Sequence, residues 1–139
     1  MRLAAALGLV LSALAACATT RLGPLLLSVS TDKGQYAAGD TVFARLSNLS
    51  DGPLSYNPCL VAIDRYGSEG WEEMTPDSGR PPCLTNLDEL APSASALVAV
   101  PLAQTIGSGV FRVRFRTVFD PSYVTVSEDQ RSSNAFRVP

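Results

Sequence analysis

The chain contains no histidine. That removes the commonest general base and the commonest metal ligand. Charge is sparse as well: eleven Lys or Arg and thirteen Asp or Glu make up 17% of 139 residues, for a formal net charge of −2. A domain that grips phosphate backbones carries a basic face, and this balance argues against one. It also leaves no polybasic run for anionic lipid heads. The acids lack the Asp-x-Asp-x-Asp spacing of a calcium loop. The serines have neither a Gly-x-Ser-x-Gly elbow nor a histidine partner, and no Cys-x-x-Cys is present. No helical periodicity persists beyond one turn, and the ten prolines are widely spread. These absences predict a protein that is not an enzyme, with no metal, no small-molecule cofactor and no nucleic-acid partner.

What the chain does have begins at its N-terminus. Arg2 is followed by an apolar run of about a dozen residues and then by small residues up to Cys17. A membrane-spanning helix needs about 20 apolar residues, so this run fits the apolar region of a cleaved signal peptide. Leu14-Ala15-Ala16-Cys17 resembles the lipobox of bacterial lipoproteins. The resemblance implies cleavage before Cys17 and acylation of its thiol, and usually of its new amine. It places the protein in the cell envelope, held to a membrane by its lipid anchor. Ala18 rather than Asp after the cysteine leans towards the outer membrane, facing the periplasm, in a Gram-negative cell. With Cys17 acylated, Cys59 and Cys83 remain as a pair, and an exported chain favours their disulfide. The mature chain keeps ten basic and thirteen acidic residues, a formal −3. The expected organisation is residues 1–16 as signal peptide, 17–24 as lipidated tether, and 25–139 as one domain forming the whole exported protein.

Almost every segment of that domain reads as a strand. Residues 41–48 alternate, with Val42, Ala44 and Leu46 on one face, and residues 94–102 do the same with Ala96, Val98 and Val100. Residues 110–119 alternate most clearly: Phe111, Val113 and Phe115 face one way, Arg112, Arg114 and Arg116 the other. Shorter strands are expected at 25–31, 54–56, 60–66, 71–74, 84–90 and 132–138. Seven to nine strands with frequent turn signals predict an all-β, antiparallel two-sheet sandwich.

The motifs Asp32-Lys33-x-x-Tyr36-x-x-Gly39-Asp40-x-Val42, Leu46-x-Asn48-x-Ser50-Asp51, Leu90-Ala91-Pro92 and Gly109-Val110-Phe111-Arg112-Val113 resemble those of bacterial immunoglobulin-like domains. The same opening occurs in macroglobulin-type domains and in the bacterial intracellular proteinase inhibitor family. The resemblance implies an immunoglobulin-like sandwich and a binding or scaffolding role with an unknown envelope protein or cell-wall partner. The inhibitor family implies the alternative, a proteinase inhibitor working through an extended loop at residues 67–82 or 119–131. Many sandwiches tie a corner with a tyrosine hydroxyl near the strand of Phe111, so here that corner is absent or made elsewhere.

Three features are candidate sites. The Cys59–Cys83 pair would close residues 67–82, a Gly- and Pro-rich binding-loop candidate centred on Trp71, which reads either as an exposed anchor or, preferably, as a plug on the sandwich edge. Tyr123 marks a second loop. Arg112, Arg114 and Arg116 form a basic row, read as a solvated face with cross-strand ion pairs to acids such as Asp64, or as a patch for an anionic partner. On that reading, removing Arg114 costs little.

Overall fold

The computed structural model describes residues 24–74 and 86–139. The described chain is all-β: ten strands in three antiparallel sheets and no helix, hence none long and apolar enough to cross a membrane. In chain order they are β1 (Leu27–Thr31), β2 (Thr41–Asn48), β3 (Leu54–Tyr56), β4 (Val61–Gly67), β5 (Gly70–Glu73), β6 (Asp88–Leu90), β7 (Ser95–Pro101), β8 (Gly109–Phe115), β9 (Val118–Phe119) and β10 (Phe136–Val138). The sheets run β1-β2-β7, β10-β8-β4-β5 and β6-β3-β9. The signal peptide, Cys17 and Cys83 lie outside the described residues, as do positions 75–82 of the first loop candidate.

Alternation dictates the core. Val42, Ala44 and Leu46 of β2, Val100 of β7, and Phe111, Val113 and Phe115 of β8 are all buried in one cluster fed by all three sheets. Each fully buried side chain of this size contributes about 1.5–3 kcal/mol. Val98 only packs against that cluster, partly buried, because β7 is the edge of its sheet.

The third sheet departs from the two-sheet expectation. Asn57 follows β3 and accepts the Cys59 amide on its side chain at 2.9 Å, while Leu60 N–H donates to its carbonyl. This turn breaks the chain between β3 and β4. β3 then pairs with β6 and β9 instead. The predicted strand 110–119 is divided after Phe115. Arg116 N–H donates to Leu60 O at 2.8 Å, the chain shifts phase, and buried Val118 pairs with Tyr56 as β9.

The opening motif is a corner. Tyr36 is buried and its hydroxyl donates to Asp32 Oδ1 at 2.6 Å while accepting Lys33 N–H at 2.9 Å. Its ring meets Phe136 edge-on at 5.0 Å. The hydroxyl tie that Phe111 cannot make is supplied here. The Tyr36 hydrogen bond holds the Asp32 carboxyl below its ordinary range, and burial followed by Asp32 pushes the Tyr36 phenol up. Gly39 turns at φ 83°, a left-handed conformation glycine tolerates, and a Cβ there would overlap the Gln104 amide.

The second motif is a buried knot. Asn48 donates to Gly52 O at 2.8 Å and Leu90 O at 2.9 Å, and accepts from Ser50 N and Oγ. Every polar atom of the buried amide is satisfied, as burial requires. The knot links the end of β2 to β6.

Candidate functional site

The outer side of β8 carries the densest chemistry. Register sets Asp64 of β4 opposite Arg112, and Ala62 opposite Arg114. Asp64 Oδ2 accepts from Arg112 Nε at 2.9 Å and Arg114 Nε at 2.7 Å, and its Oδ1 from Arg114 Nη2 at 2.9 Å. Glu73 of β5, the cross-strand neighbour of Asp64, accepts from Arg114 Nη2 at 2.8 Å and from Arg116 Nη2. Glu128 accepts from Arg112 Nη2 at 2.6 Å.

The expected cross-strand ion pairs to Asp64 are formed, but the row is a packed network rather than a solvated face. Arg112 and Asp64 are buried and Arg114 is largely covered. Three long side chains lie across the sheet and share three acids, so each desolvates its neighbours. Burial alone would raise the Asp64 pKa, but hydrogen bonds from Arg114 and Arg112 outweigh it and hold the carboxyl below its ordinary value. The same hydrogen bond raises the Arg114 pKa further. Asp64 and Arg114 are thereby held as a fixed pair of charges, poorly suited to exchanging protons near neutrality.

Trp71 is partly buried and belongs to the same assembly. The Arg112 guanidinium sits 4.6 Å over its ring, and Tyr66 meets it edge-on at 5.2 Å. Trp71 thus roofs one end of the network.

Sequence reasoning missed Arg131. It is buried, with Nε donating to Val126 O and Nη1 to Phe115 O and Arg116 O, each at 2.6 Å. It stitches the segment before β10 to the end of β8. Burial, followed by the charge of Arg114, lowers its pKa. The one available signal is a lone arginine in a long connection just before the last strand.

Cys59 is disulfide-bonded; it is the only cysteine among the described residues, so its partner lies outside them. Tyr123 stands apart from the arginine network. It tips a tight turn in which Asp120 Oδ1 accepts Ser122 N–H at 2.8 Å and Val124 N–H at 2.9 Å. Tyr123 N–H donates to Asp120 O, and Asp120 N–H to Val124 O. Residues 119–125 are folded on themselves, and Tyr123 takes a left-handed φ of 59°. Among the described residues no His, Cys, Asp or Glu cluster has the makings of a metal site.

No family model matches the chain, and no curated protein matches it. Among solved structures it is similar to the alkylpurine DNA glycosylase AlkC of Pseudomonas fluorescens, bound to DNA containing an abasic site analog. The identity is 12% and the TM-score 0.40, over 84% of this chain and 31% of that chain. The chain spans less than a third of that neighbour's length. The neighbour is an enzyme bound to DNA, and it corrects two exclusions drawn from composition: that the chain is no enzyme, and that nucleic acid is no partner. Neither exclusion is kept. At this identity and TM-score the likeness carries no argument for the activity of the present chain.

Proposed function

We propose that the chain is a lipid-anchored protein of the cell envelope whose immunoglobulin-like sandwich binds or scaffolds there. The observation that carries this reading is Leu14-Ala15-Ala16-Cys17 closing a short apolar run after Arg2. Acyl chains on Cys17 would hold the domain at the membrane, since each buried methylene adds about 0.8 kcal/mol. The strand order supports the sandwich. β1-β2-β7 beside β10-β8-β4-β5 follows the pattern of an immunoglobulin-type pair of sheets, and alternate residues of β2 and β8 feed one core. The disulfide at Cys59 accords with an exported chain. The inhibitor alternative gains no support from residues 119–125, which form a closed turn rather than an extended strand for a protease cleft.

Mass spectrometry of the N-terminal peptide from the envelope fraction tests the reading. A diacyl- or triacyl-cysteine at position 17 is expected, and Cys17→Ser should abolish it and release the chain from membranes. An unmodified N-terminus elsewhere would overturn it.

A further inference from the structure

One end of the domain exposes apolar side chains that the core does not use. Leu25 is 62% exposed, Leu49 49%, Tyr123 76% and Val124 60%. Direct contacts gather them. Leu49 N–H donates to Leu26 O at 2.9 Å. Gln130 accepts Leu26 N–H at 2.7 Å and donates to Pro24 O at 3.2 Å. Gly52, in the turn after Leu49, abuts Pro121 of the Tyr123 turn so closely that a Cβ would clash at 2.7 Å. The Asp120 carboxylate fixes that turn, and Tyr123 is held at its tip in a conformation non-glycine residues seldom adopt. An exposed aromatic held in a strained turn is over-determined by its surroundings, a pattern common at binding sites.

The described chain enters at this same end. Cys17 stands seven residues before Pro24, and that stretch reaches at most about 25 Å even when fully extended. A domain tethered through Cys17 therefore keeps the end bearing Pro24 within that distance of the bilayer. Tyrosine is suited to the headgroup layer, apolar body inward and hydroxyl to water. Asp51 and Asp129 are exposed beside the apolar residues, which suits zwitterionic headgroups better than anionic ones.

We propose that the end of the domain formed by Leu25, Leu49, Tyr123 and Val124 rests on the lipid bilayer, with Tyr123 at headgroup depth. This rests on the lipid-anchored reading. It makes the anchor directional: the 119–125 turn lies against the membrane, and Trp71 with the Gly67–Gly70 turn faces away.

The native Trp71 supplies the internal control. It is the only tryptophan in the chain, and it pairs with Tyr66 next to the Gly67–Gly70 hairpin turn. β4 runs from Val61, opposite Phe115, towards that turn, and Arg131 and Gln130 tie Phe115 to the Pro24 end. Trp71 therefore lies at the far half. The acylated full chain is reconstituted into phosphatidylcholine–phosphatidylethanolamine vesicles with plain or brominated acyl chains. Brominated lipid should leave wild-type Trp71 emission unchanged. Tyr123→Trp and Leu49→Trp should each add emission that falls about twofold in brominated lipid, as interfacial depth implies. Both positions are exposed, and circular dichroism matching wild type confirms the fold. Added emission as insensitive as Trp71, in protein whose acylation mass is confirmed, overturns the orientation and leaves the anchor standing. An unacylated Cys17 overturns both.

Discussion

The two sides of β8 are nearly equally buried and hold for opposite reasons. Phe111, Val113 and Phe115 are enclosed because strand alternation points apolar groups at apolar groups. Arg112 and Arg114, one residue out of phase, are enclosed because each finds two acids and covers the other's partner. The first kind of burial degrades gradually with lost volume. The second is closer to all-or-none, since removing one charge strands another in a dry setting.

Mutations can break this comparison. Phe115→Ala should cost about 4 kcal/mol, transfer loss plus cavity, read as a drop in denaturation midpoint. Asp64→Ala should cost about 3 kcal/mol despite removing far less volume, because Arg112 and Arg114 lose their shared partner; a loss under 1 kcal/mol would show that water reaches the site. Breaking the Cys59 bridge with Cys59→Ser should cost up to about 3 kcal/mol by the chain-entropy estimate, with hydrogen exchange rising around β4 and leaving β8 protected. Arg116→Ala should cost under about 1 kcal/mol, because Arg116 is the most exposed of the three.

Acid titration sharpens the contrast. The folded-state pKa of Asp64 is depressed, so its stabilisation is fully present above the unfolded carboxylate value, about 4. It is lost as pH falls through the lower folded value. Stability should decline below about pH 4 in wild type, and the Asp64→Ala variant should show a shallower decline over the same window.

The inner side of β8 was legible because period two needs no knowledge of neighbours. Its end was not. Residues 110–119 keep an apolar alternation by eye, yet the buried positions pass from odd (Phe111, Val113, Phe115) to even (Val118), and that change of phase marks the passage into another sheet. On the outer side the charges were legible and their environment was not, because burial of Arg112 depends on Trp71 and Glu128, which topology alone brings near. The small cost expected of Arg114→Ala presumed a solvated side chain, and its covered place between Asp64 and Glu73 predicts a larger one. The corner tyrosine was in view in the opening motif, but its role needed the Asp32 contact to be seen.

The placement of the outermost strands also has a mechanical meaning. Leu27 of β1 lies beside Asn48, while Val138 of β10 lies beside Gly109, at the opposite end. Tension applied between Pro24 and Pro139 therefore runs along the strand axes. It loads the ladders of β1 on β2 and β10 on β8 in shear, all bonds at once, rather than peeling them one by one. Resistance to a pull is then governed by the unfolding rate, and the Arg131 stitch adds three carbonyl bonds just ahead of the strand that bears the load.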